Sequence, residues 1–235
     1  MLIAEAQWIV AALDSLPDDA FPLVNIGSST ADFRENDQPW IEDTIFRPLR
    51  QRGRRFVHVD IKEAPGVDLV ADATQPAGQA AIRFLGARTI LCANLLEHVP
   101  DVGAMCRTLL DLSPDGGYLI LTVPRRYPHH PDPVDTMFRP TPEELERLLG
   151  AEVQTVVATE VRCRRLGFYY SGGAAGLPRL VLRMAIPVYR PRRWFELVRW
   201  VWRRPLQTCL LVQRSSLPSA PKASAHEHLR RPSHE

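Results

Sequence analysis

The chain alternates between short apolar runs and longer segments in which apolar residues recur at helical spacing. Short apolar or β-branched runs bounded by Gly, Pro or Asp are typical of buried strands, and apolar residues three and four positions apart indicate amphipathic helices. This alternation predicts an α/β protein with a parallel, helix-covered sheet. The predicted strands are 22–26, 54–61, 67–73, 88–94, 118–124, 151–161 and 206–214, and the predicted helices are 1–16, 38–53, 75–86, 101–113 and 141–149.

Single residues mark the ends of two of these helices. Gly53 stops the second predicted helix, and Pro48 within it predicts an irregularity. Thr141 is the expected N-cap of the last predicted helix, with Pro142 at the first helical position and Glu144 three residues after the cap. A reciprocal capping box is therefore expected there.

Composition indicates one domain in a reducing compartment. At 235 residues and 45% hydrophobic composition, the chain can bury one sizeable core. The four cysteines form no CxxC pair, which favours reduced thiols and a cytoplasmic protein. Glu5 interrupts the N-terminal apolar run, so this segment is predicted to be an amphipathic helix and not a signal peptide. No apolar stretch approaches the roughly 20 residues of a membrane span.

Charge is unevenly distributed along the chain. Residues 162–204 contain eleven arginines and one acidic residue, a local charge of +10, whereas the other residues, 18 basic and 26 acidic, carry −8. The range 162–206 is therefore predicted to be a basic, aromatic insertion before the last strand. A lid over the substrate, a helical hairpin on the sheet, and peripheral membrane contact through 177–204 remain open. A nucleic-acid surface is disfavoured because no RNA-binding motif accompanies the charge.

Polar residues follow several predicted strands, where ligands of open parallel sheets bind. Gly27 follows the first strand, Asp60 ends the second and Asp72 ends the third. A carboxylate after the second strand suits the vicinal hydroxyls of a ribose, although it could instead cap a turn. A nicotinamide dinucleotide is disfavoured, because "GSSTAD" has one glycine where that fingerprint has three. A cofactor with ribose and adenine but no phosphate, such as S-adenosylmethionine (SAM), fits better.

The segment "ILCANLLEHVPDVGAMCRTLLDLSPDGGYLILTVPRRYPHHPDP" closely resembles the central segment of class I SAM-dependent methyltransferases of the methyltransferase-11 type. The shared order is strand, Asn, Leu-Glu-His-Val, helix, Leu-x-Pro-x-Gly-Gly, strand, Pro. The resemblance covers roughly 20–160 and is specific around 90–124. It implies a seven-stranded Rossmann-like SAM-methyltransferase sheet, with helices on both faces and an antiparallel last strand.

The resemblance also implies a SAM site at the strand ends. Gly27 would lie under the methionine part, Asp60 would bind the ribose hydroxyls, and Ile61 would lie against the adenine. Asp72 and Ala73 would flank the adenine amino group. Asn94 and Leu95 would lie beside the methionine end of the cofactor.

The first motif departs from the family pattern. The family shows Asp-x-Gly-x-Gly-x-Gly, whereas this chain has Asn25, Gly27, Ser29 and Ala31 at the corresponding positions. Asn25 offers no carboxylate to the amino group of SAM, and Ser29 adds a side chain beside the ligand. The implied cofactor-binding set is Asn25, Gly27, Ser29, Asp60, Ile61, Asp72, Ala73, Asn94 and Leu95.

Three histidines are the candidates for catalysis. His98 follows the fourth strand and could act as a base near neutral pH, with a structural role for this motif as the alternative. His129 and His130 lie after the fifth strand, in a loop expected to overhang the sulfonium, where solvated loop histidines are the alternative. No metal site is predicted, because adjacent histidines rarely share one ion and no third ligand has standard spacing.

These observations predict a SAM-dependent methyltransferase that acts by in-line transfer on a small-molecule or a lipid- or glycan-linked acceptor. The alternative is a non-catalytic SAM-fold module that docks a partner or a membrane through its Arg/Trp-rich insertion. The predicted domain spans 1–214, and the range 215–235, rich in Ser, Pro, Ala and His, is predicted to be disordered.

Overall fold

A seven-stranded sheet forms the centre of the protein. The computed structural model describes residues 1–130, 134–170 and 199–215. The strands are β1 (Leu23–Ile26), β2 (Phe56–Asp60), β3 (Leu69–Val70), β4 (Thr89–Ala93), β5 (Tyr118–Arg126), β6 (Val153–Arg162) and β7 (Leu206–Arg214). The helices are α1 (Ile3–Asp14), α2 (Arg47–Gln51), α3 (Pro76–Arg83), α4 (Val102–Leu112), α5 (Pro142–Leu149) and α6 (Leu166–Tyr170).

The strand order is β3-β2-β1-β4-β5-β7-β6. Strands β1 to β5 pair in parallel, and β7 runs antiparallel to both β5 and β6. Leu23 of β1 is the register partner of Phe56 on one side and Thr89 on the other, so β1 and its following loop lie mid-sheet. The predicted sheet and its antiparallel last strand are confirmed.

Two apolar clusters cover the two faces of the sheet. Val24 of β1 belongs to a cluster with Ile82 of α3 and Leu109 of α4. Its neighbour Leu23 belongs to the opposite cluster, with Ile9 of α1. Adjacent strand residues point to opposite faces of a sheet, so the alternation buries both faces under helices, as predicted.

The predicted helix 38–53 has a different hydrogen-bond register. Two π-helical segments, Phe33–Asp37 and Glu42–Phe46, precede α2. In the second segment, the N–H of Arg47 donates to Glu42 O, five residues back. Pro48 has no N–H to continue α-helical bonding, so the irregularity predicted at Pro48 extends over the turn before it. The predicted capping box of α5 is confirmed: Glu144 N donates to Thr141 Oγ1 at 3.2 Å, and Thr141 N donates to Glu144 Oε2 at 2.7 Å.

Most of the predicted insertion, at 171–198, and the predicted tail from 216 onward lie outside the described residues. At the edges of the insertion, Leu166 N donates to Arg203 O at 3.1 Å, and Val201 is buried. Within the described ranges, no helix is long and apolar enough to cross a membrane.

Candidate functional site

The loop after β1 is built around two left-handed residues. Gly27 has φ +75°, and a Cβ there would lie 3.1 Å from Leu95 Cδ2, so a larger residue would be strained and crowded. The N–H groups of Gly27 and Ser28 both donate to Val59 O, at 2.9 and 3.1 Å. Ser29 has φ +55°, which is uncommon for a residue other than glycine. The loop therefore turns sharply over the ends of β1 and β2.

Arg34 holds this loop in place through hydrogen bonds to backbone carbonyl oxygens. Its guanidinium donates to Ser28 O at 2.9 Å, to Ser29 O at 2.6 Å and to Gly66 O at 2.6 Å. The residue is buried, and burial lowers its pKa. The sequence analysis did not identify Arg34, because an arginine in a polar segment has no local signal of burial.

Asp60, at the end of β2, is buried and faces the same loop. Its Oδ2 accepts from Ser29 N at 2.7 Å, and its Oδ1 accepts from Lys62 N at 3.0 Å. A carboxylate has about four lone-pair sites, so these bonds leave acceptor capacity for a diol. The next residue, Ile61, is 68% exposed. A buried carboxylate thus lies beside an uncovered apolar side chain, as a ribose and an adenine would require.

The turn after β3 presents a second carboxylate. Asp72 Oδ1 accepts from Thr74 N at 2.8 Å and from Thr74 Oγ1 at 2.6 Å, while Ala73 is buried. Ala71 N donates to Asp60 O at 2.9 Å, which joins this turn to the end of β2. A Cβ on Gly78 would lie 2.0 Å from Asp72 O, so glycine is required where α3 meets the turn.

Asn94 and Leu95 follow β4 and complete the strand-end group. Asn94 has φ +51°, its N–H donates to Thr122 O at 2.9 Å, and its Nδ2 donates to Glu5 Oε1 at 2.6 Å. Thr122 Oγ1 donates to the same oxygen of Glu5 at 2.6 Å. Glu5 is fully buried in α1. The sequence analysis treated it as an interruption of an apolar run, and that interruption was the available signal for a buried polar role.

Asn25 lies within β1 and contacts the neighbouring strand. Its side chain is buried, and its Nδ2 lies 3.2 Å from Nδ1 of its register partner His58. The amide nitrogen is a donor, so Nδ1 of His58 is the acceptor and the imidazole is neutral. Burial, assisted by Arg34 and Arg50, lowers the pKa of His58 to about 3. Asn25 thus supports the loop from inside the sheet.

The structure brings two of the three candidate histidines together. The ring centroids of His98 and His130 are 5.2 Å apart, whereas His129 is exposed. Asp135 organises their loop by accepting from His130 N at 3.1 Å, Met137 N at 2.8 Å and Arg139 Nη2 at 2.7 Å. Although burial opposes its ionisation, these hydrogen bonds hold the pKa of Asp135 well below its usual range.

Known structures share this architecture at low sequence identity. No family model and no curated protein matches the chain. A crystal structure of coclaurine N-methyltransferase bound to N-methylheliamine and SAH matches with 15% identity and a TM-score of 0.53, covering 90% of this chain and 72% of that one. A SAM-dependent methyltransferase from Anabaena variabilis matches with 14% identity and a TM-score of 0.51, covering 90% and 85%. The chain therefore has the fold of class I SAM-dependent methyltransferases.

Proposed function

We propose that the protein is a SAM-dependent methyltransferase of the methyltransferase-11 type. It transfers a methyl group in line to a small-molecule or a lipid- or glycan-linked acceptor. The observation that carries this proposal is the Asp60 carboxylate, which the N–H groups of Ser29 and Lys62 orient at a strand end and which keeps acceptor capacity beside the exposed Ile61.

The residues at the strand ends fit the cofactor. Asp60 would accept from the ribose hydroxyls, Ile61 would lie against the adenine, and Asp72 and Ala73 would flank the adenine amino group. Gly27 would allow close approach at the methionine end of the cofactor, and Asn94 and Leu95 would lie beside that end. When bound, SAM supplies a methyl group on a sulfonium, which needs no further activation.

The protein's own part in the reaction is alignment and exclusion of water. A base is needed only when the acceptor must lose a proton, and His98 and His130, beyond β4 and β5, are the closest candidates for that role. The small-molecule ligand named for coclaurine N-methyltransferase supports a small acceptor. The acceptor would approach from the side of these histidines.

A cytoplasmic location with peripheral membrane contact through 177–204 accompanies this proposal. All four cysteines are described, buried and free of disulfides, which supports a reducing compartment. At the described edge of the insertion, Trp202 is 63% exposed beside the exposed Arg203, which supports a surface role for this segment.

Calorimetric titration with SAM and SAH tests the proposal. The wild type should bind both, and Asp60→Ala should weaken binding by about 1–3 kcal/mol, because charge-assisted hydrogen bonds to the ribose are lost. Asp111→Ala, which removes an exposed carboxylate from α4, is the matched control and should bind as the wild type does. An absence of heat at millimolar SAM and SAH would refute the enzyme assignment and favour the non-catalytic module.

A further inference from the structure

Glu97 is a buried carboxyl group with no hydrogen bond to its oxygens from the described residues. It lies in the 3-10 turn Leu96–His98 that follows β4, and it is fully buried. Neither of its carboxylate oxygens has a hydrogen-bond partner among the described residues. Buried polar atoms are normally satisfied, so a pair of unsatisfied oxygens points to a missing partner such as an ion.

Two histidines from different segments approach this carboxyl group. His98 Nε2 lies 3.8 Å from Glu97 Oε1, and His130 comes from the loop after β5. One potential ligand atom from each of the three residues lies within 4.8 Å of the others. Ligand atoms bound to one zinc ion at about 2.0–2.2 Å are roughly 3.4 Å apart in a tetrahedron, so movements of up to about 1.4 Å would complete a site.

The other ring nitrogen of each histidine is already engaged. His98 Nδ1 lies 2.5 Å from Val134 O, and His130 Nδ1 lies 3.2 Å from Pro128 O. A carbonyl oxygen only accepts, so each Nδ1 carries the proton and each Nε2 keeps its lone pair. Metal-binding histidines are commonly oriented in this way, with the second nitrogen donating to a backbone carbonyl or a carboxylate.

We propose that Glu97, His98 and His130 bind one divalent transition-metal ion of the zinc type. Two imidazoles and a carboxylate suit zinc and its first-row neighbours, and three protein ligands leave a coordination position open. The side chains of His98 and His130 are 17% and 33% exposed, so the ion would be reached from their side. The bound ion would give the Glu97 carboxylate the partner it lacks and would join the turn after β4 to the loop after β5.

The three ligands are 33 positions or fewer apart, yet their spacing follows no standard motif. The sequence analysis considered only the adjacent pair His129 and His130 and found no third ligand with standard spacing. The structure instead joins His130 to a turn from another strand. A histidine bound to the ion has no free lone pair, so metal binding would replace the general-base role suggested above for His98 and His130. Metal binding does not require the proposed SAM contacts, so SAM binding and Zn²⁺ binding are measured separately.

The test uses the full chain without an affinity tag, stripped by a chelator and titrated with Zn²⁺ in a calorimeter. One equivalent should bind, and Co²⁺ should give the visible absorption of a four- or five-coordinate site. Glu97→Gln and His130→Asn should each weaken Zn²⁺ binding at least tenfold. Glu97→Gln keeps the shape of a side chain that makes no hydrogen bond within the described residues, so the variant should fold.

Two controls separate this site from other histidines. His129→Asn changes the exposed neighbour of His130 and should leave Zn²⁺ affinity unchanged. A variant with His226, His228 and His234 changed to Asn should still bind one equivalent of Zn²⁺. The proposal is overturned if the wild type binds no Zn²⁺, if the tail variant loses the equivalent, or if Glu97→Gln binds as tightly as the wild type.

Discussion

The buried residue His58, which contacts Asn25 next to the first loop, is expected to make the stability of the fold depend on pH. It lies on β2 against Phe46, with ring centroids 4.5 Å apart, and its Nδ1 faces the amide nitrogen of Asn25. Arg34 and Arg50 add positive charge around it. Protonation of His58 would make its Nδ1 a donor opposite the Asn25 amide nitrogen, which is also a donor. It would also add a positive charge near those of Arg34 and Arg50. The native state therefore requires the neutral imidazole.

Acid should destabilise the fold through this residue. Its pKa is about 3 in the folded chain against an ordinary 6.5, so the unfolded chain takes up the proton first. Neutral His58 contributes its full stabilisation above pH 6.5, the pKa in the unfolded chain. This contribution is lost as the pH falls from 6.5 toward about 3, the pKa in the folded chain. Its slope is at most about 1.4 kcal/mol per pH unit. Urea unfolding across this range should show a steeper loss for wild type than for His58→Gln.

The matched control for this measurement is His129→Gln, which removes an exposed histidine and should keep the wild-type slope. Carboxylates also titrate in acid, so the comparison between variants isolates His58. If the free energy of unfolding falls equally fast with pH in the wild type and in His58→Gln, His58 does not cause the loss of stability in acid.

The positions of Gly27 and Asp60 at strand ends were predictable from the sequence, and the long-range contacts around them were not. Gly27 and Asp60 terminate apolar runs, and the ends of parallel strands meet at one edge, so local pattern was sufficient. Asn94 and Glu5 are separated by 89 positions, and Arg34 reaches Gly66 across 32. No sequence period encodes such contacts, because they depend on how α1 and the π-helical segments pack on the sheet.

At the scale of elements, the predicted bounds match the observed bounds best where the pattern of apolar and polar residues is strongest. The predicted strand 206–214 has the observed bounds of β7, since Pro205 precedes it and the polar residues Gln213 and Arg214 follow its apolar run 209–212. β3 is only Leu69–Val70, although 67–73 was predicted; among the described strands it pairs with β2 alone, over two register positions. The π-helical segments were missed, since their bonding depends on packing and leaves no distinct sequence period.

The docking of α1 on the sheet depends on Glu5. Its Oε1 accepts from Asn94 and Thr122, and its Oε2 accepts from Leu2 N at 2.9 Å. Glu5→Ala would leave these donors unpaired, each at a cost of about 1–3 kcal/mol. Three donors at that cost sum to about 3–9 kcal/mol, so we expect the free energy of unfolding to fall by at least about 3 kcal/mol in urea titrations at neutral pH.

Asp14→Ala is the control on the same helix. Asp14 forms an ion pair with Arg52 at the surface, where such pairs contribute about 0–1 kcal/mol. Glu5→Gln keeps one acceptor oxygen and should lie between the two variants. If Glu5→Ala costs no more than Asp14→Ala, the buried hydrogen bonds do not hold α1 in place.

At the scale of the whole molecule, charge separates the sheet domain from the insertion. Residues 162–204 carry +10 and the remaining chain carries −8. At the described end of the insertion, Arg165 lies 5.7 Å from the ring centroid of the exposed Trp202, and Arg203 lies 5.4 Å from that of Trp200. Arginines beside exposed aromatic rings suit an anionic lipid interface, where the charges meet headgroups and the rings enter the acyl boundary.

Vesicle binding tests the membrane role of the insertion. Vesicles of phosphatidylcholine with phosphatidylserine should retain the full chain at low salt, and vesicles of phosphatidylcholine alone should retain little. High salt should release much of the bound protein, because exposed charges are screened beyond about 8–10 Å near physiological ionic strength. Trp202→Ala should reduce the remainder that resists salt, since that fraction depends on apolar insertion. If the full chain does not bind anionic vesicles even at low salt, membrane contact is excluded. A lid over the acceptor then becomes the role to test for residues 177–204.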